Sequence, residues 1–210
     1  VTEDQQVLGQ LQTTINKNHS ITLMPAVVSL VEQVGLQPSD FDRIVVAQGP
    51  GSYTGLRIGV TTAKTLAATL ACELVGVSSL KVLAANCRGR KEWIVPIFNA
   101  RRQNVYAGAY QWRAGELINV LPDQHLSLVD LFEKLNGQAV YFVGEDTKVF
   151  QTEIANAFGK PGITPLFDWN YQIGFVLLLL VATKRKSKKS NVFSLPFLKL
   201  VKPKRNGLEP

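Results

Sequence analysis

The sequence predicts an α/β protein with two lobes, and three observations support that class. Short β-branched runs such as "RIVVA" (43–47) alternate with helical repeats of apolar residues up to about residue 78. Strands that alternate with helices in this way pair in parallel through right-handed crossovers. A second series of strand and helix patterns begins at residue 93, and 210 residues are enough for two cores. We place the lobes at residues 1–90 and 91–170, followed by a helix and a basic tail at 171–210.

The elements of the first lobe follow from the spacing of its apolar residues. Alternation at Leu11, Thr13 and Ile15 predicts a strand. Ser20 is a candidate cap for a helix that ends at Gly35. The apolar residues of this helix recur at spacings of three and four, and are Met24, Val27, Leu30, Val31 and Val34. After the strand at 43–47, the pattern predicts a glycine-rich loop, a helix from about Thr54 to Leu70 and a strand "ELVGV" (73–77).

The second lobe begins with two apolar strands, "WIVPIF" and "VYAGAYQW", on either side of the polar "NARRQN", and this pattern predicts a hairpin. A capped helix "SLVDLFEKLNG" that stops at Gly137, a strand "AVYFVG" and a helix "DTKVFQTEIANAF" follow. The run "IGFVLLLLVA" (173–182) has ten residues, whereas a transmembrane helix needs about 20. It therefore predicts a buried helix and no membrane span.

Charge and cysteine usage indicate the surroundings of the protein. The formal charge is +7, but residues 184–210 carry +8 and the rest of the chain −1. Such a charge run is typical of a solvated tail, although it could also contact RNA phosphates. Cys72 and Cys87 lie in no CxxC pair and near no histidine cluster, so neither a metal site nor a disulfide framework is expected. The expected compartment is a reducing cytoplasm.

The loop "QGPGSYTGLR" between a strand and a helix is a candidate phosphate loop. Free N–H groups at a helix start bind anions, but no lysine follows the last glycine and the spacing is not G-x-G-x-x-G. A structural turn is therefore the favoured interpretation. The residues of the loop are Gly49, Pro50, Gly51, Ser52, Gly55 and Arg57.

Small residues recur every fourth position along the next helix and form a stripe on one face: Gly55, Gly59, Ala63, Ala67 and Ala71. Such a stripe permits close approach of another backbone, either the protein's own sheet or a helix of a partner chain. The sequence leaves both alternatives open. For the second, the expected partner interface combines Gly55, Gly59, Ala63 and Ala67 with Met24, Val27 and Val31 of the preceding helix.

Three blocks, "QGPGSYTGLRIGVTTAKTLA", "LVGVSSLKVLA" and "NARRQNVYAG", resemble the TsaB (YeaZ) family of bacterial tRNA threonylcarbamoyladenosine modification proteins. The resemblance implies a two-lobed actin-like, ribonuclease-H-like fold and a non-catalytic subunit. Its implied partners are a related catalytic subunit, TsaD, which modifies the adenosine next to the anticodon, and an ATPase, TsaE. The tRNA would be reached through the complex, a homodimer is an alternative assembly, and ATP or ADP would bind only at the level of the complex.

Differences from the catalytic relative and from the family qualify this resemblance. The metal-binding H-x-x-x-H of the relative falls on Ser79 and Leu83, so the expectation is no catalytic residue, no cofactor and no metal. The family's first strand would precede Val1, so the first lobe is expected to lack it. Asn99 stands where the family has aspartate, and lysines replace acidic residues after about residue 167.

Two other functions remain as alternatives. One is an autonomous nucleotide-binding enzyme of the actin-like class, which needs acidic residues beside the loops to hold magnesium. Neither "VAQGPGSYTGLR" nor "LVGVSSL" offers one. The other alternative is an inactive, degenerate copy of the modification subunit.

Overall fold

The computed structural model describes residues 1–3, 6–12, 19–159 and 178–182. These residues form two compact units. The first extends to Ser79 and includes the strand at 178–182, and the second begins at Leu80. The elements run, in chain order, β1 (Thr2–Glu3), β2 (Gln6–Val7), α1 (His19–Gln33), β3 (Phe41–Gly49), α2 (Tyr53–Leu70), β4 (Glu73–Ser78), α3 (Ser79–Ala85), β5 (Trp93–Asn99), β6 (Asn104–Arg113), β7 (Glu116–Ser127), α4 (Leu128–Leu135), β8 (Val140–Val143), α5 (Gln151–Phe158) and β9 (Leu178–Ala182). Short 3-10 helices lie at Pro38–Asp40 and Glu145–Lys148. The domain boundaries near residues 90 and 170 stay predictions.

The sheet of the first unit has the strand order β2-β1-β9-β3-β4. β3 pairs in parallel with β4, with Ile44 opposite Leu74, and antiparallel with β9, with Ile44 opposite Leu180. β1 pairs in parallel with the other edge of β9. The strand-helix-strand pattern predicted from 43 to 78 is confirmed by this parallel pair.

The prediction of a buried helix at 173–182 is wrong for Leu178–Ala182, which form β9. Between β1 and β3, β9 satisfies backbone N–H and C=O groups that would otherwise lack partners in the sheet. A short apolar run suits either a buried helix or a buried strand, so its composition alone does not decide. Residues 173–177 and the basic tail lie outside the described residues.

The strand predicted through Leu11, Thr13 and Ile15 is also wrong where it can be compared. β2 covers only Gln6–Val7, and residues 8–12 lie outside any strand, while 13–18 fall outside the described part of the chain. A side chain at Gly9 would come within 3.0 Å of Leu30 in α1 and within 2.7 Å of Val34 just after this helix. The chain therefore leaves the sheet at this point and packs closely on α1.

The helices α1 and α2 cover the first sheet. Gly35, at φ +71°, ends α1 as predicted, and a residue without a side chain adopts this left-handed backbone readily. The buried core joins the first residue of the chain, one residue of α1, two of α2 and the start and middle of β3: Val1, Val31, Ala63, Ala67, Phe41, Ile44 and Val46. Half-buried residues of both helices surround it, among them Val27, Leu30, Val60 and Leu66, together with Val34 just after α1. Helix layer and sheet thus share one apolar core.

The second unit has a sheet of order β7-β6-β5-β8 with α4 and α5 packed on one face. The predicted hairpin of β5 and β6 is confirmed, with Phe98 opposite Tyr106. Ser127 caps α4, since its Oγ accepts a hydrogen bond from Asp130 N at 3.0 Å. β7 is a long strand that the sequence did not predict, and its pairing with β6 shifts register on both sides of Ala109.

The helix predicted over "DTKVFQTEIANAF" is wrong as a single element. The structure divides it into the 3-10 helix Glu145–Lys148 and α5, with the buried Phe150 between them. Gly144 precedes this segment at φ +122°, and a side chain there would lie 2.7 Å from the carbonyl oxygen of Ile97. The close approach of Gly144 to β5 sets where the 3-10 helix begins. The burial of Phe150 interrupts the helical segment between Lys148 and Gln151.

Candidate functional site

The glycine loop leads directly into α2, and Ser52 caps this helix. Ser52 Oγ accepts a hydrogen bond from Gly55 N at 3.3 Å, which satisfies one of the free N–H groups of the first turn. The Arg57 guanidinium lies over the Tyr53 ring, 5.5 Å from its centroid. Gly49 has φ +109°, a conformation that side-chain-bearing residues rarely adopt. These contacts agree with the structural turn that the sequence favoured.

The small-residue stripe on α2 is buried in the first unit itself. Gly55, Gly59, Ala63 and Ala67 are the buried residues of α2, and Ala63 and Ala67 belong to the core with β3. This burial favours the alternative of packing on the protein's own sheet for these residues. Their predicted role in a partner interface stays a prediction, although their burial leaves little of their surface for a second chain.

Helix α1 presents a different set of residues to solvent. Ile21, Met24 and Val28 are 68%, 37% and 48% exposed, and their spacing of three and four places them on one face. We call these three residues the α1 ridge. Of the interface residues predicted on this helix, Met24 lies on the ridge, whereas Val27 is half-buried and Val31 is buried against the core. Ile21 and Val28 were not among the predicted interface residues, although their spacing from Met24 is visible in the sequence.

Ser79 and Leu83, which occupy the metal-ligand positions of the catalytic relative, are both buried. Leu83 lies in α3, and its Cδ1 would contact a side chain added at Gly144. Within the described residues, no three His, Cys, Asp or Glu side chains lie close enough to hold a metal ion. No helix in that same part of the chain is both long and apolar enough to cross a membrane.

Titratable groups of the second unit are affected mainly by burial. Burial raises the pKa of the Cys87 thiol to about 12, and the nearby Arg90 charge opposes this only partly. Burial also lowers the pKa of Lys81, while the carboxylate of Asp123 acts in the opposite direction. Asp123 Oδ1 accepts a hydrogen bond from the Tyr110 hydroxyl. The hydrogen bond between Tyr110 and Asp123 joins β6 to β7, and the charge of Asp123 acts on Lys81 of α3.

The family model for TsaD, described as tRNA N6-adenosine threonylcarbamoyltransferase, matches residues 6–203. The chain is 48% identical over 158 residues to the tRNA threonylcarbamoyladenosine biosynthesis protein TsaB of Bacillus subtilis (strain 168), covering 74% of this chain and 69% of that protein. The chain belongs to the TsaB (YeaZ) family. The TsaB protein of Buchnera aphidicola subsp. Schizaphis graminum is 28% identical over 50% of each chain. The chain thus spans about half to two thirds of these relatives.

Two solved structures share the fold. YeaZ from Pseudomonas aeruginosa matches with a TM-score of 0.54 and 25% identity, over 63% of this chain and 64% of that one. A P. aeruginosa protein described as similar to peptidase YEAZ matches with a TM-score of 0.57 and 24% identity, over 73% and 69%. The predicted actin-like α/β fold of the TsaB (YeaZ) family is confirmed.

Proposed function

We propose that this chain is a non-catalytic subunit of the cytoplasmic machinery that forms threonylcarbamoyladenosine in tRNA. In this proposal it binds a TsaD-type catalytic chain through the α1 ridge, and a TsaE-type ATPase joins the assembly. The observation that carries the proposal is the exposure of Ile21, Met24 and Val28 on a helix whose other face is buried in the core. Covering these three apolar side chains with a partner removes apolar area from water, which lowers the free energy of the complex.

The chemistry near the glycine loop favours a binding role over an enzymatic one. Magnesium in nucleotide sites is held by carboxylates, and no Asp or Glu occurs from residue 44 to residue 72. The ends of β3 and β4 at this loop offer only neutral side chains, such as Gln48 and Ser78. Calorimetry with ATP and magnesium tests the enzymatic alternative, for which micromolar binding to the isolated chain is the expected result.

The proposed interface is tested by Ile21→Gln, Met24→Gln and Val28→Gln together. Glutamine keeps helix propensity close to that of the replaced residues, so α1 is expected to form while its apolar surface is lost. We expect binding of a TsaD-type chain, measured by calorimetry, to weaken at least tenfold, which corresponds to about 1.4 kcal/mol. The melting temperature should stay within a few degrees of that of the unchanged protein.

The matched control is Val129→Gln, which replaces a 65% exposed apolar residue on α4 of the second unit. This variant should bind the partner as the unchanged protein does. Equal binding by the ridge variant would contradict the proposed interface. Threonylcarbamoyl transfer by the purified chain alone would contradict the non-catalytic role, and failure to restore the modification in a strain that lacks the subunit would favour the degenerate copy.

A further inference from the structure

The turn between β5 and β6 has an unfavourable backbone. Three consecutive residues, Arg101, Arg102 and Gln103, have φ values of +66°, +51° and +58°. L-residues with a side chain avoid this left-handed region, because Cβ approaches the following carbonyl oxygen. Such strain persists only where the surroundings impose it, and it is concentrated at functional positions. A glycine at any of the three positions would relieve it, yet the turn has none.

Hydrogen bonds hold the turn in this conformation. Asn99 Oδ1 accepts from Arg101 N at 2.8 Å, and Asn104 N donates to Arg101 O at 2.9 Å. Asn104 Nδ2 donates to Arg102 O at 3.1 Å. Leu128 N, at the start of α4, donates to Gln103 O at 2.9 Å. The turn is therefore a fixed feature of the second unit.

The side chains of Arg101 and Arg102 are exposed. In the part of the chain that the structure describes, neither guanidinium group forms an ion pair or a hydrogen bond. Asp146, which contacts the start of this turn, uses its Oδ2 to accept a hydrogen bond from Asn99 N at 2.7 Å. Two exposed arginines thus follow one another on a turn that hydrogen bonds hold in place, and phosphate oxygens are among the best partners for arginine.

An exposed aromatic pair lies on β6, which follows this turn, and on β7, which pairs with β6. Tyr106 and His125 are register partners on β6 and β7, with ring centroids 5.0 Å apart and planes inclined at 55°. Tyr106 is 41% exposed, and His125 is also exposed. Tyr106 follows Gln103 by three residues, so at about 3.4 Å per residue it lies about 10 Å along the strand from the turn.

We propose that Arg101, Arg102, Tyr106 and His125 form a contact surface for single-stranded RNA on this subunit. Unstacked bases pack on aromatic rings at a sheet surface, and arginines bind the adjacent phosphates. Duplex RNA fits this arrangement poorly, because its bases are already stacked and paired. The inference rests on the proposed role in tRNA modification and adds a direct RNA contact in the second unit, separate from the α1 ridge.

The test measures the binding of the full chain alone to a labelled 12-residue single-stranded oligoadenylate by fluorescence anisotropy, over a range of salt concentrations. The double variant R101Q/R102Q should weaken binding at least tenfold. It should also reduce the slope of log K against log salt by about 1.4, since each phosphate contact with a single strand contributes about 0.7. Tyr106→Leu keeps an apolar strand residue and should weaken binding about tenfold with little change in the salt slope.

The matched control is Arg113→Gln with Lys134→Gln, which removes the same charge from β6 and α4 away from the turn. If this control weakens binding as much as R101Q/R102Q, the RNA responds to net charge or to the basic tail, and the inference is wrong. Equal affinity for a duplex of the same length would also overturn it. If R101Q/R102Q binds RNA normally but loses a TsaD-type chain, the surface binds protein instead.

The ridge variant distinguishes this inference from the proposed function. It should bind the oligoadenylate like the unchanged chain while losing the TsaD-type partner. Loss of the partner without any effect of R101Q/R102Q on RNA would leave the proposed function standing and overturn the RNA surface alone.

Discussion

The helix layers of the two units differ in the size of the side chains that they bury. In the first unit, α2 turns glycine and alanine toward the sheet, and α1 leaves large apolar residues in solvent. In the second unit, α4 and α5 bury Leu128, Leu131, Leu135 and Ile154. A layer that approaches its sheet through small residues has fewer large side chains to fill its own core. We therefore expect a partner to bind the first unit, at the exposed apolar residues of α1.

An aromatic cluster accounts for the closed core of the second unit. Phe132, Phe142 and Phe158 pack in pairs with ring centroids 5.3 to 6.4 Å apart. Edge-to-face and tilted contacts at these distances stabilise a core beyond the burial of area alone. The first unit has no such cluster among its described residues, and its buried residues are mostly β-branched or small. The two units should therefore respond differently to the same kind of substitution.

The largest effect is expected from Leu131→Ala in the second unit. Leu131 is fully buried between α4 and the sheet, so its removal leaves a cavity. We expect the free energy of unfolding of this unit to fall by about 2–5 kcal/mol, measured by urea denaturation. Val129→Ala, on the exposed side of the same helix, should change it by less than about 0.5 kcal/mol. Similar losses for both variants would contradict the closed core.

Overpacking should destabilise the first unit instead. Ala63 is completely buried between α2 and β3, and Ala63→Leu places a larger side chain where helix and sheet are close. The expected cost is about 1–3 kcal/mol. Ala68→Leu makes the same change on the exposed face of α2 and is expected to be nearly neutral. Equal stability of the two variants would mean that α2 approaches its sheet less closely than described.

The pH dependence of stability is expected to reflect the burial of Cys87 in the second unit. Unfolded Cys87 loses its proton near pH 9, whereas burial keeps the folded thiol protonated up to a pKa of about 12. The unfolded state thus binds fewer protons between these values, so Cys87 should lower stability by about 1.4 kcal/mol per pH unit above pH 9. Cys87→Ala should lose less stability than the unchanged protein over this range.

Reaction with a thiol reagent at pH 8 checks the same comparison. Burial also raises the pKa of Cys72, but this side chain is only half-buried. We expect the folded protein to react at Cys72 first and at Cys87 only on unfolding. Rapid labelling of Cys87 in the folded state would contradict its burial.

The smallest effect is expected from surface ion pairs. Arg43 and Glu73 join β3 and β4 of the first unit at 2.6 Å, whereas Arg90 and Glu92 of the second unit lie 3.7 Å apart, and Arg90 is more exposed than Arg43. Glu73→Gln should lower the free energy of unfolding by about 0.2–1 kcal/mol at low salt and by less at high salt. Glu92→Gln should have almost no effect. A larger loss for Glu92→Gln would reverse the ranking of the two pairs.

The sequence predicted most elements because their patterns are local. The strand at 43–47, the helix after the glycine loop and the β5–β6 hairpin all carry their own periodicity and caps. β7 was missed because "ELINVLPDQHLS" contains Pro122, Asp123 and Asn119, which are poor strand residues, and its register shifts break the alternation. β9 was mistaken for a helix because its leucines suit either structure, and pairing with β3 decides.

The candidate surfaces were harder to predict from the sequence than the helices and strands. The stripe on α2 was visible, but its burial depends on the sheet beneath it. The pair of Tyr106 and His125 forms only through the register of β6 with β7, an element the sequence did not predict. Spacing along the chain finds residues on one face of one helix, whereas contacts between strands depend on the whole sheet.

The position of β9 has a consequence for the order in which the chain folds during synthesis. β3 lies between β4, its near neighbour in sequence, and β9, which follows the whole second unit. A ribosome releases the chain from its N-terminus, so β3 emerges long before the strand that completes its sheet. The second unit can form from contiguous sequence in the meantime. Until β9 emerges, β3 would keep one edge unpaired, and an unpaired strand edge is a site where other chains can pair.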